Sequence, residues 1–205
     1  MASPSQSSSI NGFINQIQQG VKPNLFEVKF AAPAGAALAA GLDQNLSILC
    51  KAAAIPASNL GTIEVPFRGR TIKIAGDRTF DTWTATFIND KNFEIRQFFE
   101  NWMRQINAHE GNTGQLYTPS TAASGYLADL EVRQLERNAA GAAGASDVNE
   151  VIRRYYLKGA FPTNVSQIDL AYDSNDQIED FTVEFQYQFW TVESGSGARS
   201  AGTIA

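Results

Sequence analysis

The stretch FTVEFQYQFW, Phe181 to Trp190, alternates apolar and polar residues without a break. Phe181, Val183, Phe185, Tyr187 and Phe189 fall on one side, and Thr182, Glu184, Gln186 and Gln188 on the other. A period of two is that of a strand with one buried face and one wetted face. DTWTATF (81–87) repeats the pattern, with Trp83, Ala85 and Phe87 set against Thr82, Thr84 and Thr86. The opposite faces are hydroxyl- and amide-rich, neither core nor strongly charged. Such faces are either the solvated outside of an ordinary two-sheet sandwich or the lining of a wide wet channel made by several copies, and Thr182, Glu184, Gln186 and Gln188, or Thr82, Thr84 and Thr86, are the candidates for that wall.

Outward from these strands, more of the same kind appear. NLFEVKF, LSILCKAAAI, TIEVPF, RTIKIA, LADLEVRQLE, VNEVIRRYYLKG and VSQIDLAYD all read as strands. Ile72 and Ile74 are assigned to a half-buried apolar face. Turns are expected at Arg68-Gly69 and at Gly76-Asp77, where glycine supplies the backbone freedom a turn needs. Between Asp90 and Asn107 the period changes to 3.6. Ile95, Phe98, Phe99, Trp102 and Ile106 form one apolar stripe, and Asn89 or Asp90 can cap the start. A short amphipathic helix is also expected around Ile10, Phe13, Ile14 and Ile17, marginal unless it docks. The sum is a mainly β protein, an antiparallel sandwich or barrel with one principal helix at about 90–107. The chain divides into an arm at 1–21, a β domain at 22–190 and a tail at 191–205.

At 205 residues the chain is long enough for one sizeable core. A net charge of −5 argues against a general nucleic-acid binder but does not exclude a surface that must avoid sticking to DNA. The single cysteine, Cys50, is expected in the core, and one His with one Cys does not make a usual zinc or copper site. No apolar run approaches the roughly 20 residues of a membrane span, so no stable membrane insertion is expected. Asp77 and Asp81, and the carboxylates of DSNDQIED, could be imagined in a β-sandwich enzyme. Their place in turns is better explained by Asp and Asn bonding their own backbone. The Arg68/Arg70 and Arg153/Arg154 pairs read as surface or interface salt bridges. No catalytic residue, metal ligand or cofactor is assigned. The remaining positive features, two-faced strands and Ala/Gly-rich loops, suit a subunit completed by association.

In order and spacing, KPNLFEV (22–28), LCKAAAIP (49–56), RTIKIAGDRTFDTW (70–83), GAFPTNV (159–165) and LAYDSNDQIEDFTVEFQYQFW (170–190) resemble the tail-tube proteins of T4-like contractile-tailed bacteriophages. That family is similar in fold to the tubes of type VI secretion systems and tailocins. The resemblance implies a structural virion protein, made in the host cytoplasm, that forms hexameric rings with a continuous inner β-barrel. It implies rings stacked into a tube, with sheath, baseplate and tail terminator as partners, and DNA passing the lumen without specific binding. A tube of a related injection system that carries effectors is the alternative. The sequence departs from the family at 31–43, 138–147 and 191–205. Inter-subunit or inter-ring contacts are therefore expected at Ala36, Leu38, Leu42, Ala142, Ser194 and Arg199, together with Arg68 and Arg70.

Overall fold

The computed structural model describes residues 10–17, 20–33, 42–114, 116, 118–121, 125–137, 149–173 and 175–194. The chain runs α1 (Ile10–Ile17), β1 (Phe26–Phe30), α2 (Leu42–Ile48), β2 (Cys50–Ala53), β3 (Asn59–Phe67), β4 (Arg70–Thr79) and β5 (Trp83–Ile88). It continues through α3 (Glu94–Ile106), β6 (Ala128–Arg137), β7 (Asn149–Val165), β8 (Asp180–Gln186) and β9 (Phe189–Ser194). All described strand pairings are antiparallel.

One strand, β7, serves two sheets. Its first part lies between β6 and β9, and β1 completes that first sheet. Its last residues pair instead with β8, which continues to β5 and β2 in a second sheet. The change of partner falls at Gly159, which has φ 63°. The Gly159 N–H donates to Asp129 Oδ1 at 3.1 Å, and Lys158 Nζ donates to Asp129 Oδ2 at 2.6 Å. The bend folds the apolar face of the first sheet over that of the second. Val28, Phe30, Leu130, Val132 and Leu157 meet Trp83, Phe87, Phe181, Val183 and Phe185. Phe30 joins the layers, its ring centroid 5.4 Å from Phe87, 5.9 Å from Phe185 and 6.0 Å from Phe99.

The α3 stripe lies as expected: Ile95, Phe98, Phe99 and Trp102 are buried. Its start is held by Asp90, whose carboxylate accepts from the backbone N–H of Asn92, Glu94 and Ile95. The expected helix around Ile10 forms, with Phe13 and Ile14 exposed. Arg68 and Gly69, at φ 46° and 81°, make the tight turn between β3 and β4.

Several expectations are corrected. LSI of LSILC is not a strand, because Leu42 and Leu46, four apart, are buried beneath α2. Gly76 is no turn: β4 runs through it, and a Cβ there would meet the Gly61 carbonyl oxygen at 3.2 Å beside a register shift. VSQIDLAYD holds no strand beyond Val165, where β7 ends. The alternation at Phe181–Trp190 breaks between β8 and β9, which leaves Phe189 49% exposed. The β3–β4 ribbon forms its own two-stranded sheet, so Ile72 and Ile74 are not buried within this chain.

Two measurements follow from this packing. Gly159→Ala would hold a side chain in a left-handed conformation, 3.0 Å from Gln188 Cγ. It is expected to cost about 1–3 kcal/mol in urea unfolding. Burial pushes the Cys50 thiol up from 9.0 to about 12, against a smaller opposing pull from a hydrogen bond with the Ala52 backbone. The native thiol therefore stays protonated and unreactive to a disulfide reagent at pH 8, and reacts only on unfolding. A raised folded value means that this contribution to stability is intact below pH 9 and is lost as pH rises towards 12.

Candidate functional site

The first sheet carries an ion-paired ladder on the face away from the core. In register, Glu27 lies opposite Arg133, Arg133 opposite Arg154, and Arg154 opposite Glu193, so one row crosses all four strands. Arg133 is gripped from two sides. Its Nε and Nη2 donate to the two Glu131 oxygens at 2.6 and 2.9 Å, and its Nη1 donates to Glu27 Oε2 at 3.1 Å. Arg154 stands 3.7 Å from both Glu131 Oε1 and Glu193 Oε2, and Tyr156 donates its hydroxyl to Glu193 at 3.0 Å. The Arg133 guanidinium is held above its usual range, first by its hydrogen bonds to Glu131 and then, against desolvation, by the charges of Glu131 and Glu27. Desolvation, then the bond to Glu193, raises the Tyr156 hydroxyl.

These side chains escaped the sequence reading because LEVRQLE and IRRYY show only alternation. What assembles them is cross-strand register, which no single segment reveals. Arg154 does pair with carboxylates as expected, whereas Arg153 stacks on the Tyr155 ring at 5.5 Å.

Both long edges of this sheet are open among the described residues. β1 pairs only with β6, and β9 only with β7. The Ala31 N–H donates to Asp129 and the Leu135 N–H to the Leu25 carbonyl, so the odd-numbered residues of β1 face β6. By alternation, Phe26, Val28 and Phe30 turn their backbone N–H and C=O groups to the open side.

The seven polar candidates lie elsewhere, and six of them are on or beside the second sheet. Thr86 and Thr182 share a hydrogen bond at 3.1 Å, and Gln186 donates to Thr82 at 2.7 Å. Thr84 and Glu184 sit opposite one another on the same face. Gln188 falls in the gap between β8 and β9.

Arg68 and Arg70 lie at the tip of the β3–β4 ribbon. One face of that ribbon presents Ile63, Val65, Phe67, Ile72 and Ile74, each 41–57% exposed. Its base is pinned by two indoles, Trp83 donating to the Ala54 carbonyl and Trp190 to the Ala57 carbonyl. Leu42 is only 4% exposed, so its side chain is used within the chain rather than offered to a neighbour. Ser194 ends the open β9 edge, and Ala36, Leu38, Ala142 and Arg199 lie outside the described residues. Asp77 is on the exposed ribbon, and Asp81 in an exposed link accepts from Asn59. Among the described residues no cluster of metal-ligating side chains occurs, and no helix is long and apolar enough to cross a membrane.

Among the described residues the fold is thus an antiparallel sheet open at both edges, backed by a second sheet and a helix. Solved structures agree on the fold. The sheath/tube terminator of an extracellular contractile injection system matches with TM-score 0.56 and 15% identity, over 85% of this chain and 97% of its own. The anti-feeding prophage baseplate matches with TM-score 0.54 and 13% identity, over 83% and 93%. In sequence, the tail tube protein gp19 of Enterobacteria phage T4 is 36% identical over 169 residues, covering 82% of this chain and 90% of gp19. The tail tube protein of Serratia phage KSP90 is 27% identical over 183 residues, covering 88% and 94%. The family model described as phage tail tube protein matches residues 21–193, and the chain belongs to that family. It is a structural component of the virion tail.

Within the ladder, Glu131 has the most to lose, with its side chain 15% exposed and two arginines on it. Glu131→Ala is expected to destabilise the chain by about 1.5–3 kcal/mol in urea unfolding, against little change for the exposed Lys29→Ala.

Proposed function

We propose that six copies close into a ring through their open edges and that rings stack into the tail tube through which phage DNA passes. The observation that carries this is the pair of free edges. Strand directions alternate from β1 through β6 and β7 to β9, so β1 of one copy meets β9 of the next antiparallel, and the contact closes head to tail. Six such sheets give about 24 strands. At about 4.8 Å between strands the bore is about 37 Å across or more at the backbone, wide enough for duplex DNA. The six-fold symmetrised baseplate of the anti-feeding prophage, whose fold this chain shares, supports the same ring order. In this reading the ladder face looks into the bore, because the opposite face of its sheet is core. The Thr82–Thr86 and Thr182–Gln186 face then looks outward, towards sheath.

The exposed ribbon, with Arg68 and Arg70 at its tip, is the contact to a neighbouring copy, and Ser194 lies in the ring seam. Sheath, baseplate and terminator complete the partner set. The alternative, a tube carrying effectors rather than DNA, shares this fold. The 36% identity to the T4 tail tube protein favours the phage tail.

The test is negative-stain imaging of the wild-type chain and two variants. Phe26→Ala removes a ring but keeps the outward N–H, whereas Phe26→Pro removes that donor as well. Rings or tubes are expected from wild type and Phe26→Ala, and folded monomers from Phe26→Pro. Rings from Phe26→Pro would refute the seam. In assembled tubes a protein-sized maleimide is expected to label Thr84→Cys and to spare Lys29→Cys; the reverse pattern would exchange the two faces.

A further inference from the structure

The ladder on the first sheet contains more cations than a wall meant to release a polyanion can leave exposed. Arg133, Arg154, Lys158 and Lys29 all project from this face. Each free guanidinium would take a phosphate by a charge-assisted, two-pronged hydrogen bond. Arg133 cannot: both donor edges are already occupied by Glu131 and Glu27, and its side chain is 19% exposed. Arg154 is caught between Glu131 and Glu193. Lys158 is turned onto Asp129 at the bend and lies 5.4 Å from the Tyr156 ring centroid.

We propose that Glu27, Glu131 and Glu193 mask Arg133 and Arg154 against phosphate, so that this face slides past nucleic acid and would hold it if they were neutralised. The proposal deepens the tube reading and rests on it for the identity of the cargo. The arginines are retained for the seam-to-seam row they build across four strands, and the carboxylates remove their affinity for DNA. Negative charge alone would also repel DNA, but the pairwise geometry makes a more specific demand. Neutralising these three carboxylates must do more than neutralising three others.

The experiment compares two full-length variants of equal net charge, each three units less negative than the wild-type −5. One is Glu27→Gln/Glu131→Gln/Glu193→Gln, and the control is Asp77→Asn/Asp169→Asn/Asp173→Asn, all exposed and off the ladder. Binding of a fluorescent 30-base-pair duplex is measured from about 50 to 200 mM salt. Freeing two arginines is expected to steepen the slope of log affinity against log salt by about 2 relative to the control, an affinity loss of about tenfold across that range. Adding Arg133→Gln and Arg154→Gln to the ladder variant is expected to abolish the gain. Should the triple variant not fold, Glu193→Gln alone, at a carboxylate 59% exposed, is expected to steepen the slope by about 1. Equal binding by the ladder variant and the control, or a gain that survives loss of both arginines, overturns the mask. Imaging of the same samples separates the two ideas. Rings without a binding contrast sink the mask alone, and a contrast without rings sinks the tube assembly alone.

Discussion

The structure depends on one strand belonging to two sheets. A strand cannot keep straight neighbours and also bring two apolar faces together, so β7 must turn where its partners change. Gly159 takes the left-handed conformation that this requires, and Asp129 accepts both the glycine N–H and the adjacent Lys158 ammonium. Once that corner is fixed, the two sheets close on each other. Phe30 from the first can then touch Phe87 and Phe185 of the second and Phe99 of the helix. The remaining core follows from the same closure, because Val28, Leu130 and Leu157 share a face with Phe30.

Much of this was readable from periodicity. The stripe of α3 and the inward residues of β5 and β8 are long, regular signals, and they lie where their spacing puts them. Shorter signals failed for physical reasons. Leu46, Ile48 and Cys50 alternate like a strand, but Leu42 and Leu46 are also one helical turn apart, and packing against β1 and α3 decides for the helix. Gly76 looks like punctuation; it is a close approach between paired strands. The ion-paired face was the least legible part, since Glu27, Glu131, Arg154 and Glu193 come from four separate strands. Only the register β1-β6-β7-β9 makes them neighbours.

The two polar faces solve different problems. On the second sheet, hydroxyls and amides bond one another in short pairs such as Thr86–Thr182, satisfied without charge. On the first sheet, satisfaction is ionic, and the carboxylates of β1, β6 and β9 close around guanidinium groups that are largely withdrawn from water. Pairs of this kind fix geometry more than they add stability, because desolvation offsets much of the Coulomb attraction. Such a ladder therefore ties four strands together across the width of the sheet.

The β3–β4 ribbon has a consequence for the life of the free subunit. Five apolar side chains on a two-stranded ribbon, whose edges are unpaired among the described residues, make a template for indiscriminate strand addition. The opposite face carries Glu64 and Lys73 as a cross-strand pair, and the turn ends in Arg68 and Arg70. Charges so placed act as gatekeepers: copies stacking ribbon on ribbon in the same register would set like charges together at the tip. Placed beside the exposed apolar face, these charges set a cost on any contact that would bury both together.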